Sequence, residues 1–199
     1  MPLSAEDISA RIGRRIHGLR ASRNDSLDSL AARSGVSRSM ISVIERGQTN
    51  PTAVVLDRLA SALGVSLGEL FGEAPPTPAR AAPLVRHGDQ VEWVDPQSGY
   101  VRKQVSPPAW PSPLQLAEVR FPAGARVAYE GGRLDGSLHQ QVWVLKGRME
   151  ISQGDTLHVL RKGDCLAVRL TEPLVFSNPA DQEAHYLVAL CDVAAHGHR

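Results

Sequence analysis

The segment at positions 30–47 reads LAARSGVSRSMISVIERG. Its apolar residues recur at helical spacing on both sides of Gly35. Ser26 and Ser37 precede the two apolar patterns, and each can accept a hydrogen bond from a backbone N–H of the first helical turn. Because only Gly35 and Val36 then separate the patterns, the segment predicts two helices of about ten residues joined by a tight turn.

Helical spacing continues on both sides of this pair. Upstream, Ile8, Ile12 and Ile16 recur at steps of four residues. Downstream, residues 51–63 carry a similar apolar pattern, and residues 66–69 read SLGE, a capping box that opens a further short helix. The sequence therefore predicts five short helices, which is enough to enclose one small core.

The composition is that of an ordinary globular protein. Of the 199 residues, 42% are hydrophobic and 22% are charged, which excludes a wholly disordered, collagen-like or coiled-coil chain. No apolar stretch is long enough to span a membrane, and the first residues lack the apolar core of a signal peptide, so we expect a cytoplasmic protein without a membrane partner. Cys165 and Cys191 are too few for a disulfide framework and lack the spacing of metal ligands.

The apolar pattern changes near residue 72. Beyond it the spacing is closer to two, which is typical of strands. The change coincides with a stretch that contains four prolines and no large apolar side chain, as expected of a linker. We therefore predict a chain of separate α and β domains: a helical domain at 1–72, a Pro/Ala-rich linker at 73–83, a strand-rich domain at 84–193 and a tail at 194–199.

Positive charge is concentrated between residues 10 and 46. Eight arginines stand there against three carboxylates, a local balance of +5 in a chain whose net charge is +1. A locally basic segment beside a neutral remainder favours a polyanionic partner for this part of the chain. A solvated arginine face without a partner would explain the same charges.

Residues 30–47, together with Asn50, Pro51 and the LASALGV stretch at 59–65, resemble the DNA-binding domain of the phage-repressor (Cro/C1, XRE-type) regulators. The likeness covers residues 8–71. It implies a five-helix, lambda-repressor-like helix-turn-helix domain with a double-stranded DNA operator as its partner.

The resemblance also implies roles for individual residues. The second helix of the pair would enter the major groove. Base contacts are assigned to Arg38, Ser39, Ser42 and Val43, and contacts with the DNA backbone to Ser26, Ser37, Arg46 and Asn50. Ser26 and Ser37 would serve equally well as helix caps alone. Leu27 stands where many relatives have a DNA-contacting glutamine, so a phage operator cannot be transferred to this chain.

Arg20 and Glu45 occupy positions that pair with each other in the same family. Such a pair would tie the first helix to the end of the recognition helix. If it is shielded from water, loss of one partner leaves the other charge uncompensated and lowers the stability of the domain.

Residues 84–193 carry turn signals at short intervals and no helical pattern, which is typical of a sandwich or barrel. The stretch QQVWVLKGRMEI at 140–151, with LRKGDCL at 160–166 and FSN at 176–178, resembles the small cupin β-barrel, a double-stranded β-helix. The order helix-turn-helix, linker, cupin is similar to a class of bacterial one-component regulators with a cupin sensor.

The resemblance to cupins does not extend to a metal site. Metal-binding cupins place two histidines and a glutamate before the first glycine and a further histidine before an asparagine. The corresponding positions hold Arg133 with Asp135 or Leu134 with Gly136, then Gln140, and finally Leu174. His139 is next to one position, but neighbouring strand residues point to opposite faces. We therefore expect neither a metal nor another cofactor.

A small barrel can still hold one small molecule in its mouth. We expect an effector there, of the amino acid, polyamine or organic acid class. His139 and Gln140 would offer hydrogen bonds, Arg120 or Arg133 a charge for a carboxylate, and Tyr129 or Trp143 an apolar wall.

Three functions are compatible with these patterns. The first is an effector-responsive transcriptional regulator that is not an enzyme and binds operator DNA as a homodimer. The second is a metal-dependent cupin enzyme fused to a helix-turn-helix module. The third is a helix-turn-helix regulator whose barrel serves only for dimerisation.

Overall fold

The structure, a computed structural model, describes residues 5–71, 82–108, 110–130 and 138–193. The helical domain contains five helices: α1 (Ala5–Ser22), α2 (Leu27–Ser34), α3 (Arg38–Glu45), α4 (Ala53–Ala62) and α5 (Leu67–Leu70). None of the helices in these ranges is long and apolar enough to cross a membrane. The predicted linker at 73–83 and tail at 194–199 lie almost entirely outside the described residues.

The helices begin and end where local signals place them. The side-chain oxygens of Ser26 and Ser37 accept hydrogen bonds from the backbone at the start of α2 and α3, and Gly35 ends α2 with a φ of 65°. A side chain at that φ would be strained, which explains the glycine. The helices have eight residues rather than ten because three residues form the turn. Thr52 caps α4, so this helix starts two residues later than expected.

The described part of the second domain, from residue 82 onward, contains ten strands. They are β1 (Glu92–Val94), β2 (Val101–Gln104), β3 (Leu114–Phe121), β4 (Arg126–Tyr129), β5 (Leu138–Lys146), β6 (Arg148–Gln153), β7 (Thr156–Arg161), β8 (Cys165–Arg169), β9 (Leu174–Ser177) and β10 (Ala184–Asp192). One sheet has the order β1-β2-β3-β10-β5-β8 and the other the order β4-β9-β6-β7. The pairs are antiparallel. Two facing sheets built from β3–β10 form a jelly roll, the arrangement of cupins. The predicted fold class is therefore confirmed.

Alternation along the strands fills the barrel. In β10, Ala184, Tyr186, Val188 and Leu190 are buried while the residues between them are more exposed. The same alternation buries Leu138, Val142 and Val144 of β5, with an interruption at the half-buried Gln140. This alternation decides which side chains of each strand face the barrel interior.

The helical domain packs directly on the barrel. The ring of Phe71, at the end of α5, lies 5.4 Å from that of Trp93 in β1, measured between centroids. The Trp93 indole N–H donates to Asn50 Oδ1 at 2.8 Å, and Asp95 Oδ1 accepts from the backbone N–H of Ala53 at 2.9 Å. These contacts bring the apolar cores of the two domains together.

Candidate nucleic-acid interface and barrel cavity

Helix α3 has one buried side and one open side. Ile41 and Ile44 are fully buried against the rest of the helical domain. Arg38 and Ser39 are exposed on the first turn, and Ser42 and Val43 are partly exposed one turn later. Among the described residues, α3 contacts α1 and α2 on its inner side. The base-contacting residues expected from the sequence therefore lie together on the open side.

Two arginines frame this open side of α3. Arg38 Nε lies 3.3 Å from Asp28 Oδ1, with the two side chains 65% and 76% exposed. Exposed pairs of this kind contribute about 0–1 kcal/mol, so Arg38 can exchange Asp28 for another partner at little cost. Arg46, beyond the last turn, donates to Ser42 Oγ at 2.7 Å and to Gln48 Oε1 at 2.9 Å.

Ser26 and Ser37 lie at helix starts with their caps formed. Ser26 Oγ accepts from the backbone N–H of Ser29 at 3.0 Å, and Ser37 Oγ accepts from that of Met40 at 3.2 Å. Both serines are exposed, so their hydroxyls are open to water. The geometry accounts for both residues as caps, and contact with DNA stays a prediction.

Asn50 lies apart from the other residues assigned to DNA. Its Nδ2 donates to the carbonyl of Val94 at 3.1 Å, and its Oδ1 accepts from Trp93. In this conformation the amide group joins the two domains, and a phosphate contact stays a prediction for its second N–H. The sequence could not show the joining role, because the partners are more than forty residues away.

Met40 is exposed on α3, unlike Ile41 and Ile44, which are fully buried. An exposed methionine beside Arg38 and Ser39 offers an apolar contact of the kind that reads a thymine methyl group.

An ion pair fixes α3 to α1. Arg20 Nε lies 2.6 Å from Glu45 Oε1, and Arg20 Nη2 lies 2.8 Å from Glu45 Oε2, so the contact is bidentate. The side chains are only 14% and 8% exposed. Burial alone would raise the pKa of Glu45, but hydrogen bonds from Arg20 and His17 outweigh it and lower the pKa. Arg20 also donates to the carbonyl of Asp25 at 2.8 Å.

A cavity of about 80 Å³ lies between the barrel and the helical domain. The barrel side includes Tyr100, Arg102, Tyr129, Gln140, Phe176 and Tyr186, and the helical side includes Asp57, Ala60, Ser61, Ser66 and Leu67. Helices α4 and α5 thus close the mouth of the barrel. Most of the remaining lining is aliphatic.

Three tyrosines give the cavity hydroxyl groups. Tyr100 Oη and Tyr129 Oη are hydrogen-bonded to each other at 3.0 Å. Burial raises the pKa of Tyr100 to about 12 and holds the pKa of Tyr129 and of Tyr186 well above its ordinary value. All three therefore keep their protons at neutral pH and can donate hydrogen bonds.

Asp57 faces this cavity from α4. Burial, reinforced by repulsion from the nearby Glu130 carboxylate, raises the pKa of Asp57 to about 7. The neighbouring Arg58 pairs with Glu130 instead. Asp57 is thus a carboxyl group that titrates near neutral pH at the boundary between the domains.

Three of the six residues that the sequence assigned to a ligand do not line the cavity. Tyr129 and Gln140 line the cavity, but Arg120, His139 and Trp143 do not. Arg120 is exposed and pairs with Glu92 at 3.1 Å, and Trp143 is 48% exposed on the outer face of β5. His139 is excluded because the strand turns its neighbour Gln140 inward. Arg133 lies outside the described residues.

The cavity contains two positions at which metal-binding cupins have ligands. Gln140 and Leu174 both line it, where the family would place a glutamate and a histidine. The positions at 133–136 lie outside the described residues. Within the described ranges, no three His, Cys, Asp or Glu side chains come together as a metal site.

The sequence reasoning missed Tyr100, Arg102, Tyr186 and Asp57. The alternation of β10 predicts that Tyr186 shares a face with the apolar Val188, so that residue could have been found. Arg102 and Asp57 are charged residues in short polar stretches, and such residues ordinarily lie on the surface.

Comparison with known proteins identifies the family. A helix-turn-helix family model matches residues 16–70. An uncharacterised HTH-type transcriptional regulator of Sinorhizobium fredii is 39% identical over 72 residues, which are 36% of this chain and 94% of that protein. Control protein C.MunI of a Mycoplasma species is 37% identical over 68 residues, which are 34% of this chain and 92% of that protein. The chain belongs to the helix-turn-helix (XRE-type) transcriptional regulators.

A solved structure extends the similarity to both domains of this regulator. An HTH_3 family transcriptional regulator from Vibrio cholerae superposes with a TM-score of 0.74, covering 94% of this chain and 98% of that one. The two chains are 22% identical, so the match shows a shared fold. The two curated relatives each match only about a third of this regulator.

Replacing Glu45 with Gln in the full chain should lower its melting temperature. The substitution leaves Arg20 nearly buried without an anion, which costs about 3–5 kcal/mol in comparable buried pairs. Because the pKa of Glu45 is depressed in the folded state, its stabilising effect is present above pH 4.5 and fades as the pH falls below that value. Thermal melts at pH 7 and pH 3.5 measure both effects.

Asp28→Asn, in the exposed pair, is the control and should leave the melting temperature unchanged. Equal melting temperatures for E45Q and the wild type at pH 7 would contradict the role of this pair.

Replacing Asp57 with Asn should stabilise the regulator at alkaline pH. The pKa of Asp57 is about 7 in the folded protein against 3.8 ordinarily, so the folded state holds the proton more tightly. Stability therefore declines as the pH rises from about 4 to about 7, by about 2–4 kcal/mol, and stays level above. Urea unfolding between pH 4 and 9 should show D57N more stable than the wild type above pH 7, with the difference vanishing near pH 4.

The exposed Asp181→Asn control should follow the wild type. A constant difference across the range would show that the carboxyl does not titrate there.

Proposed function

We propose that this regulator recognises a specific double-stranded DNA site through the open side of α3. The observation that supports this most directly is the division of the helix, with Ile41 and Ile44 fully buried and Arg38 and Ser39 exposed beside them. An eight-residue helix presented in this way fits the major groove of B-DNA. The relatives of the helical domain are themselves named transcriptional regulators.

Arg38 carries the recognition in this proposal. Its guanidinium lies at the N-terminal end of α3, where helix-turn-helix proteins contact base edges. A guanidinium can donate two parallel hydrogen bonds to guanine O6 and N7. Ser39 and Ser42 supply hydroxyls beside it, and Met40 and Val43 supply apolar contacts. Arg46, with Ser26 and Ser37, would contact phosphates and set the position of the helix.

The regulator acts as a homodimer in this proposal. One module of this size makes few base contacts, and two copies on half-sites about 34–36 Å apart supply the missing affinity. The outer face of the six-stranded sheet is the candidate interface. Trp143 is exposed there, opposite Leu187 on β10 and Cys165 on β8, so three strands contribute to one apolar surface. An exposed apolar surface of this kind is typical of a protein contact.

The cavity is the effector site. It is lined by both domains, so a molecule bound there contacts the barrel and helix α4 at once. Helix α4 packs on α2, the first helix of the helix-turn-helix pair. An effector that binds one arrangement of the two domains better than another would therefore shift the position of α3.

The donor set favours this reading over a cupin enzyme. Gln140 and Leu174 stand in the cavity where metal-binding cupins have a carboxylate and an imidazole, and a leucine side chain offers no ligand to a metal ion. We accordingly assign the regulator no catalytic role. Its place of action would be the cytoplasm, where its DNA site is accessible.

Replacing Arg38 with Ala should weaken binding to the selected DNA site more than binding to random DNA. The site is first obtained by selection from random duplexes with the wild-type protein. Loss of a bidentate base contact costs about 1–3 kcal/mol, or roughly 5- to 150-fold in affinity. Fluorescence anisotropy with both duplexes measures the ratio. Arg161→Ala, an exposed arginine on the barrel, should leave both affinities unchanged. An equal loss on both duplexes would assign Arg38 to phosphate.

Replacing Trp143 with Glu should convert the dimer to a monomer. A charge at the centre of an apolar interface must be desolvated without a partner, which disfavours association. Light scattering coupled to gel filtration gives the mass. Leu157→Glu, which places the same charge on an exposed apolar position of the opposite sheet, should leave the dimer intact. Dissociation by L157E and not by W143E would move the interface to the other sheet.

A further inference from the structure

Arg102 is a buried cation without an anion. Only 8% of the residue is exposed, and its Nε has no hydrogen-bond partner. On β2 it stands between Trp93 of β1 and Val119 of β3, which are both buried. Its guanidinium lies 6.0 Å from the centre of the Phe71 ring, a weak cation–π contact. None of the carboxylates in the described ranges forms an ion pair with it.

An arginine in this position cannot relieve its burial by losing the proton. The guanidinium stays charged throughout the physiological pH range. A buried charge is ordinarily paired, because an uncompensated one is strongly unfavourable. Because Arg102 also lines the cavity, an anion inside the cavity would supply the missing partner.

The surroundings of Arg102 suit an anion as well. Tyr100, Tyr129 and Tyr186 line the same cavity, and all three tyrosines lie close enough to Arg102 to feel its charge. The Tyr186 hydroxyl is not hydrogen-bonded to any of the described residues. Protonated phenols donate hydrogen bonds to carboxylate oxygens.

Two acidic residues also line the cavity. Asp57 belongs to α4 and Glu172 to the exposed turn before β9. Neither forms an ion pair with Arg102. Below its pKa of about 7, Asp57 is mostly neutral and does not oppose an anion.

The volume of the cavity and its lining limit the size of the ligand and the chemistry of its uncharged part. The cavity measures about 80 Å³, while an engineered cavity of about 150 Å³ in another protein accommodates benzene. The occupant therefore has only a few non-hydrogen atoms. Apart from the polar groups described, the wall consists largely of aliphatic side chains such as Leu138, Leu174 and Val188, which suit a hydrocarbon body.

We propose that the effector is a short aliphatic monocarboxylate, bound with its carboxylate against Arg102 and its hydrocarbon chain against the barrel wall. This inference rests on the proposed effector role of the cavity. Since Ala60, Ser61 and Ser66 of the helical domain close the same cavity, the bound carboxylate stabilises the packing of that domain on the barrel.

Titration calorimetry at pH 6.5 with the full-length protein tests the proposal. The probes are acetate, propionate and butyrate, with propionamide as the uncharged analogue of propionate and alanine as its ammonium-bearing analogue. We expect saturable binding of at least one carboxylate, with propionamide and alanine at least tenfold weaker than propionate. Sodium chloride at matched ionic strength should not displace the ligand. Equal binding of propionate and propionamide, preference for alanine, or displacement by chloride would overturn the ligand class.

Variants locate the site. Arg102→Gln should weaken carboxylate binding at least tenfold, whereas Arg120→Gln, an exposed arginine of β3, should bind like the wild type. Tyr186→Phe, which keeps the ring and removes the hydroxyl, should weaken binding severalfold and remains informative if R102Q fails to fold. Unchanged affinity in R102Q or Y186F would place the ligand elsewhere and overturn the proposal.

Hydrogen exchange tests whether the bound carboxylate also stabilises the packing of the helical domain on the barrel. Amides at the start of α4 should exchange more slowly with saturating propionate than with propionamide. Binding of the selected DNA site is measured on the same preparation. If DNA binds and no carboxylate does, the ligand class fails while the regulator stands. If DNA does not bind, the proposed function itself fails.

Discussion

The packing of the helical domain on the barrel depends on the contacts of Trp93. This side chain is almost fully buried, between Phe71 of the helical domain and Tyr100 of the barrel. Its indole N–H is satisfied by Asn50 in the loop that follows α3. From Phe71 the ring contacts continue through the barrel as far as Tyr129. Without this docking, α4 would not cover the barrel mouth, and Arg102 would lose much of its burial.

Helix α3 is held by a different set of interactions. Its apolar side is anchored by Ile41 and Ile44 within the helical domain, and its C-terminal end is tied to α1 by the Arg20–Glu45 pair. These contacts stay inside the domain. In the proposed mechanism, the domain would therefore shift on the barrel as one body and keep the exposed side of α3 intact.

The features that could be predicted from the sequence are those that residues close together in the chain determine. Caps such as Ser26 and Ser37 act within one helical turn, so five helices and their order were accessible. The cavity-facing side of β5 was harder, because Trp143 on one face is as apolar as Val142 on the other. That ambiguity explains why the sequence assigned Gln140, which lines the cavity, together with His139 and Trp143, which do not. Arg102 and the contact of Asn50 with Trp93 were out of reach, because both depend on long-range packing that no local pattern records.

In the proposed regulator, α4 is the element through which the cavity and the DNA-binding side of α3 would communicate. It lies between the cavity, to which Asp57 and Ala60 contribute, and α2, which precedes the recognition helix. Asn50 stands at the point where the loop after α3 meets the barrel, so its bonds to Trp93 and Val94 exist only in the docked arrangement. If DNA binding breaks them, it must weaken effector binding by the same factor as the effector weakens DNA binding. The free energy of the docked contact thus limits how far either ligand can influence the other.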